Sequence, residues 1–326
     1  MMGGSLKYHI VVRFKRCIFG RRAVRMVNIM SKNGGYAMRS LSTTMFSFLA
    51  VCGGGAPEPP PVPKLVPKHA RYDSLEAALF AVIPKQPHII GIGELHSRTD
   101  RPHAPTELPR ATTKSSLAHM TAALPALAPY VTDLVIETWI VDPRCGKPAA
   151  EATAAIETEV KRPEATKNEI VLLAEAAKAA KVQPHAMTLS CDDYKTLVHN
   201  GQVDTLAMLT LTTRELTRIS LSAVAFRAKQ TDPRPWVVIY GGALHNDRFP
   251  TNQFAQWSFA NALDNATHQR FIEIDLIVPE IALLDVNSQH QPWFPLAQVA
   301  ADKVVVWKRG ERSYVIILPR AAADNR

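Results

Sequence analysis

The sequence predicts an α/β fold, in which a mostly parallel sheet is covered by helices on both faces and ends in a C-terminal β-hairpin. Short runs of β-branched and apolar residues alternate along the chain with longer segments of helical period. Most of these runs are apolar at every position, which is typical of strands buried on both faces. The last two runs are separated by a short glycine-containing turn, which indicates a hairpin.

Composition excludes one class of partner. At 326 residues, with 47% hydrophobic and 21% charged residues, the chain is long enough to bury a sizeable core. Its net charge is +9, but residues 1–57 hold nine Lys or Arg and no Asp or Glu, which leaves 29 basic and 29 acidic residues in 58–326. A nucleic-acid-binding domain needs excess positive charge in its folded part, so we expect no nucleic-acid partner.

Residues 1–52 are predicted to be a basic leader. A second possible start at Met38 precedes an apolar run, Met45–Val51, that is far too short to span a bilayer. The order Leu-Ala-Val-Cys, ending at Cys52, resembles a lipoprotein cleavage box, although a small residue normally replaces the valine. The alternatives are an ordinary signal peptide behind a mis-assigned start, or an organellar transit peptide that uses 1–50. We therefore expect an exported protein, either a membrane-anchored lipoprotein or periplasmic.

The leader is followed by a Pro/Gly-rich linker at 53–71, because proline at this density favours extended polyproline II structure and excludes helix. The α/β domain is predicted to occupy 72–326. Helices are expected at Asp73–Phe80, Thr113–Ala128, Ala149–Lys181 and Val203–Lys229. Strands are expected at Ile89–Gly93, Asp133–Glu137, Val182–Ser190, Pro235–Gly242 and Phe271–Val278, with the hairpin at Lys303–Trp307 and Ser313–Leu318.

Four cysteines are present, and two of them, Cys17 and Cys52, fall in the leader. Without a Cys-x-x-Cys pair, neither a zinc ribbon nor a disulfide framework is indicated. A bridge between Cys145 and Cys191 is one possibility, but the sequence favours two unpaired thiols.

Two predicted strands end in the same pattern of a glycine followed three residues later by a histidine. The first leads to Glu94 and His96, and the second, about 150 residues later, leads to His245. Glu137 ends a third strand. Because ligands bind at the carboxyl edge of an open α/β sheet, these four side chains are expected to meet in one cleft. Histidine suits both metal binding and proton transfer near neutral pH, so the set could serve as catalytic groups or hold Mn, Co, Zn or Fe.

Other candidates carry weaker signals. His103 lies in a proline-bounded loop that could cover the cleft, and Tyr194 follows the third strand. His185 is inside a predicted strand, where a hydrogen-bonded core histidine is the expected role. Asp247 and Arg248 could orient His245 or bind an anionic group, or could simply cap a helix.

The two Gly-x-x-His motifs, with Glu137 between them, resemble the superfamily that joins erythromycin-esterase-like, ChaN-type, Tiki and TraB proteins. The first motif, Gly93–His96, is nearest to the ChaN-type haem-binding lipoproteins and the esterase-like branch. The resemblance spans Pro84–Pro279 but rests on three short patches. It implies an α/β domain with a site built from both motifs. Tiki proteins are regarded as metal-dependent proteases, esterase-like members open a lactone, and ChaN binds haem.

The leading hypothesis is a hydrolase that acts on an ester or amide of a small-molecule or peptide substrate. A metal or His96 alone would activate water. The alternative is a ChaN-like binding protein for haem or another iron chelate, with His96, His103 or Tyr194 as the iron ligand. A third possibility is a degenerate member with a structural role. The chain departs from ChaN in lacking an obvious tyrosine in the first loop, and from Tiki in showing no C-terminal membrane helix.

Overall fold

A computed structural model of the chain describes residues 66–84, 86, 88–96 and 113–321. These residues belong to one compact unit, Val62–Arg326. The leader 1–52 lies outside the described residues, as does most of the linker predicted at 53–71. None of the helices in the described ranges combines the length and the apolar composition that a membrane span requires.

The core of the domain is an eight-stranded sheet. Its strands are β1 (Ala70–Tyr72), β2 (Ile89–Glu94), β3 (Val131–Trp139), β4 (Gln183–Met187), β7 (Trp236–Gly242), β8 (Phe271–Ile277), β9 (Val304–Gly310) and β10 (Ser313–Ile317). The order across the sheet is β1-β9-β10-β8-β2-β7-β3-β4. All neighbours from β10 to β4 are parallel, and β9 alone runs antiparallel to β1 and β10. The predicted mostly parallel sheet and C-terminal hairpin are confirmed.

Helices cover both faces of this sheet. They are α1 (Leu75–Val82), α2 (Ser116–Leu127), α3 (Gly146–Val160), α4 (Ala165–Ala179), α5 (Cys191–Leu197), α6 (Thr205–Arg227), α7 (Ala243–Asn246), α8 (Ala260–Ala266), α9 (Pro279–Leu284) and α10 (Phe294–Val299). A short antiparallel pair, β5 (Val198–His199) and β6 (Gln202–Val203), connects α5 to α6.

Alternate residues of each strand pack against different helix layers. Ile90 and Ile92 of β2 lie in a buried cluster with residues of α1, α2 and α4. Ile89, the first residue of the strand, lies in a second buried cluster with residues of α6 and α8. The period of two explains why strands buried on both faces are apolar throughout.

One predicted helix is two helices in the structure. Residues Ala149–Lys181 form α3 and α4, separated by a corner at Lys161, whose φ of 48° is left-handed, and by Pro163. Proline lacks a backbone N–H and restricts the residue before it, so a continuous helix through this point was wrong. The corner is where the unpredicted site residue Arg162 is found.

The expectation of two unpaired thiols was also wrong, because Cys145 and Cys191 form a disulfide. Cys145 precedes α3 and Cys191 begins α5, and these helices pack together around a buried cluster that includes Tyr194. Packing brings the two Cα atoms to 5.0 Å, within bridging range. Sequence spacing alone does not contain this information.

Candidate functional site

The site is built where β2, β7 and β3 end side by side. The central strand of the three, β7, ends in Gly241 and Gly242, so no side chain separates its neighbours. A Cβ atom added to Gly242 would lie 2.8 Å from the Nε2 atom of His96. The glycine therefore permits close approach of groups from β2 and β3 above the strand end.

Glu94 orients His96. The Nδ1 atom of His96 lies 2.9 Å from one carboxylate oxygen of Glu94, and the Tyr240 hydroxyl donates to the other oxygen at 2.5 Å. Burial and the nearby charge of Glu94 raise the pKa of Tyr240 well above its usual value, so the phenol stays a donor. Since the ionised carboxylate only accepts, the ring hydrogen is assigned to Nδ1, and Nε2 faces the strand ends.

Glu137 approaches the other side of the same ring. Its Oε2 atom accepts a hydrogen bond from the backbone N–H of Gly242 at 2.5 Å, and Oε1 lies 3.4 Å from Nε2 of His96. Burial would raise the pKa of Glu137, but the positive charge of His245 together with His96 and Arg162 lowers it far below its usual value. Glu137 is therefore ionised.

Arg162 completes the site and was not predicted from the sequence. Its Nη2 atom lies 2.8 Å from Nε2 of His96 and 3.5 Å from Oε1 of Glu137. The corner between α3 and α4 carries it there. The one available signal was Pro163, which marks the break in the helical run, but nothing in the spacing indicates that this corner faces the strand ends.

His96 has two hydrogen-bonding arrangements. The neutral ring accepts from Arg162 at Nε2, whereas the protonated ring presents Nε2–H to Glu137. Burial and the charge of Arg162 lower the pKa of His96, but hydrogen bonds to Glu137 and Glu94 outweigh them, and the pKa is raised. The ring can therefore hold a proton that arrives at Nε2.

His245 lies in α7, directly after β7, and is 4% exposed. Its Nδ1 atom is 2.8 Å from the carbonyl oxygen of Trp257 and 2.9 Å from the hydroxyl of Thr213. Among the influences that lower the pKa of Glu137, the charge of His245 is the largest. The structure thus joins Glu94, His96 and Glu137 by direct contacts, while His245 acts on Glu137 electrostatically.

The other candidates lie elsewhere. His103 lies outside the described residues. Tyr194 is buried beside the disulfide, with its hydroxyl 3.5 Å from the carbonyl of Ile140. His185 pairs with Asp133 at 2.7 Å, in keeping with the structural role expected for it.

Asp247 and Arg248 contact other charged groups. Asp247 forms an ion pair with Arg309 at 2.7 Å. Arg248 pairs with Asp264 at 3.0 Å, and its backbone N–H donates to Glu273. These contacts hold the segment after β7 against β8 and β9. They direct the side chains of Asp247 and Arg248 to partners other than His245.

A buried acidic pair behind the site was not predicted. Asp275 of β8 stands opposite Gly93 in the sheet, and its Oδ1 atom is buried without a hydrogen-bond partner, as is the Oδ1 atom of Asn246. Burial, reinforced by the charge of Glu273, raises the pKa of Asp275 well above its usual value. Ionisation of the Asp275 carboxyl group is therefore disfavoured in the folded protein.

The described residues contain no group of three or more His, Cys, Asp or Glu side chains that could hold a metal ion. Instead, the polar atoms bind one another, and the guanidinium of Arg162 provides the positive charge between His96 and Glu137. The divalent metal stays a prediction, as does haem.

A pocket adjoins Glu94 and His96. The volume open to the centre of a water molecule is about 10 Å³, which is room for about one water. Its walls come from the end of β2, the start of α2, the α3–α4 corner, the first turns of α4, and α9. The lining residues are Glu94, Leu95, His96, Ser115, Ser116, Leu117, Arg162, Thr166, Glu169 and Ile281.

Comparisons with known proteins add little. No protein-family model matches the chain, and no curated protein matches it. Among solved structures, it is similar to the structure of the type III effector HopBA1, with 12% sequence identity and a TM-score of 0.36 over 72% of this chain and 88% of the other. A likeness this distant carries no argument about function.

Proposed function

We propose that this chain is an exported hydrolase of an ester or amide bond, in which His96 acts as general base on water. One observation carries the proposal. Glu94 holds Nδ1 of His96 at 2.9 Å, which fixes the ring with Nε2 directed to the carboxyl edge of the sheet. A base oriented by a hydrogen-bonded carboxylate is the arrangement that general-base catalysis requires.

The proposed reaction starts at Nε2 of His96. Water takes the position beside Nε2 that Arg162 holds in the structure, and its oxygen attacks the carbonyl carbon while Nε2 accepts the proton. The negative charge of Glu137 stabilises the imidazolium. His96 then returns the proton to the departing alkoxide or amine as the tetrahedral intermediate collapses.

Arg162 is the group placed to stabilise the oxyanion of that intermediate. A guanidinium 2.8 Å from Nε2 needs only a small side-chain movement to bring an N–H beside the carbonyl oxygen of a substrate attacked at this point. Positively charged donors aimed at a developing oxyanion stabilise the transition state strongly.

The disulfide between Cys145 and Cys191 supports the exported location, because such bonds persist mainly in oxidising compartments. It fits the signal-like leader, and attachment of lipid to Cys52 is part of the proposal. Metabolic labelling with a radioactive fatty acid tests the anchor. A Cys52→Ser variant should lose both the label and the membrane fraction, and a variant that stays membrane-bound would refute it.

The activity is tested with a panel of p-nitrophenyl esters and peptide anilides. His96→Ala should lower kcat by about 100-fold or more, as expected for removal of a general base. Glu94→Gln should act in the same direction, since it removes the charge that orients the ring. His185→Ala is the matched control, because that histidine pairs with Asp133 away from the site. Equal activity in His96→Ala and His185→Ala would refute the proposal.

Two further measurements separate the alternatives. Stoichiometric Mn, Co, Zn or Fe that is lost in both His96→Ala and His245→Ala would assign the activation of water to a metal. A Soret shift on haem addition, without hydrolysis of any panel member, would favour the haem-binding alternative. The relationship of this chain to the superfamily that the Gly-x-x-His motifs suggest is part of the same proposal.

A further inference from the structure

A buried phenol lies behind the carboxylate that orients His96. Tyr240 belongs to the central strand β7, two residues before Gly242, and is 2% exposed. Its hydroxyl donates a hydrogen bond at 2.5 Å to the Oε2 atom of Glu94, while the Oε1 atom of Glu94 lies 2.9 Å from Nδ1 of His96. The proposed reaction uses His96 and Glu94 but gives no part to Tyr240.

The two contacts hold the Glu94 carboxylate at both of its oxygens. The last torsion of a glutamate side chain is broad, so a single hydrogen bond leaves the carboxylate free to rotate. A partner on each oxygen removes that freedom. The carboxylate is then fixed in the orientation in which Oε1 meets Nδ1 of His96, and the imidazole ring is fixed with it.

Tyr240 is itself fixed by its surroundings. Its main chain is paired on both sides, with Ile92 of β2 and with Ile136 of β3. Its side chain belongs to the buried cluster that these two residues share with α1, α2 and α4. Closely packed side chains have little room to change rotamer. The hydroxyl group therefore ties Glu94, the last residue of β2, to the rigid core of the sheet.

Loss of the hydroxyl group would leave a buried acceptor without its donor. Glu94 is 9% exposed, and within the described ranges its Oε2 atom accepts a hydrogen bond from Tyr240 alone. An unpaired buried acceptor costs free energy, and the side chain recovers part of it by rotating toward another donor. That rotation would draw Oε1 away from Nδ1 of His96. The fold would be little affected, because the ring of Tyr240 stays packed when only its oxygen is removed.

We propose that Tyr240 is a positioning residue of the site, which acts through Glu94 to keep the hydrogen of the neutral His96 ring on Nδ1 and to leave Nε2 free to accept a proton. The catalytic use of this geometry rests on the proposed hydrolytic function. Small displacements of a reacting group lower the rate strongly, so the orientation of the ring is worth fixing. Tyr240 itself neither contacts the substrate nor exchanges a proton.

The first measurement needs no substrate. The full chain is labelled with ¹⁵N-histidine, and long-range proton–nitrogen NMR spectra are recorded at alkaline pH, where the two tautomers of a neutral imidazole give different nitrogen shifts. The spectrum of His96→Ala identifies the His96 signals. Wild type should show the Nδ1–H tautomer of His96, and Tyr240→Phe should show a mixture of both tautomers.

Tyr314→Phe is the matched control for this measurement. Tyr314 packs against the same buried cluster as Tyr240 but lies on β10, away from Glu94. The control should keep the wild-type tautomer of His96, because it loses a hydroxyl group without changing the partners of the carboxylate.

The second measurement is a double-mutant cycle with the panel of esters and anilides. Tyr240→Phe should lower kcat about tenfold and leave KM unchanged, as expected for loss of one hydrogen bond to a charged group. In a Glu94→Ala background no carboxylate is left to orient, so Tyr240→Phe should lower kcat no further.

Four results would overturn the inference. They are a pure Nδ1–H tautomer in Tyr240→Phe, the same tautomer change in Tyr314→Phe, effects that add fully in the cycle, and an effect of Tyr240→Phe on KM alone. A tautomer that depends on Tyr240 in a protein that hydrolyses no member of the panel would instead refute the proposed activity and leave the positioning role of Tyr240 standing.

Discussion

Removal of the disulfide should cost a large share of the domain's stability. The bridge joins residues 46 positions apart, and the chain-entropy relation for a loop of that length gives about 4 kcal/mol at 25 °C. Domains are typically stable by about 5–15 kcal/mol, so the loss would shift the unfolding midpoint strongly. The site should be affected too, because the bridge ties the start of α3 to α5, and the end of α3 leads into the corner that carries Arg162.

The experiment compares wild type with a Cys145→Ala/Cys191→Ala variant by guanidinium-induced unfolding, each with and without reductant. Reductant should destabilise the wild type and leave the variant unchanged, which separates loss of the bridge from loss of the sulfur atoms. Alkylation of denatured, unreduced wild type should leave both positions unmodified. A difference below about 1 kcal/mol would refute the entropic reasoning and would imply that the unfolded chain already keeps these segments together.

Three further predictions concern Gly242 and two buried aspartates. Gly242→Ala should lower kcat/KM about 100-fold with little change in melting temperature. The added methyl group would lie 2.8 Å from Nε2 of His96, closer than van der Waals contact, so the ring has to shift. Activity near wild type would show that the ring has room to move. Asp275→Asn should raise the melting temperature at pH 7, because a raised folded-state pKa costs stability once the pH exceeds the unfolded-state pKa. The melting temperature of the variant should also vary less with pH. A variant that is less stable than wild type at pH 7 would contradict the raised pKa. Asp133→Asn should lower the free energy of unfolding by about 2 kcal/mol at pH 7. This difference should shrink below about pH 4, because a lowered folded-state pKa stabilises the protein above the unfolded-state pKa and that gain is lost as the pH falls. A difference that stays constant with pH would show that the charge is unimportant.

The sequence predicted the sheet well because the signals for strands are local. A run such as Val237–Tyr240 is apolar at every position, and this property follows directly from burial on both faces. The same logic located Glu94, Glu137 and His245 at strand ends. Their convergence depended on strand order, which brings β3, β7 and β2 side by side, and that order is not written in any single segment.

What could not be predicted depends on how helices pack. Arg162 reaches His96 only because the α3–α4 corner turns toward the strand ends, and Cys145 meets Cys191 only because α3 and α5 lie together. The raised pKa of Asp275 likewise follows from its burial beside a second acid, which appears in sequence only as alternate charges within an apolar strand. Each of these features is a tertiary contact without a local pattern.

The strand order also has a consequence for how the protein acquires its site during synthesis. β2 emerges early, yet both of its neighbours in the sheet, β7 and β8, lie about 150 residues or more further along the chain. Pairing across such separations is entropically costly and forms slowly. The strand that carries Glu94 therefore stays unpaired until most of the chain has been made. An early pause or truncation would leave an aggregation-prone strand edge and an incomplete site.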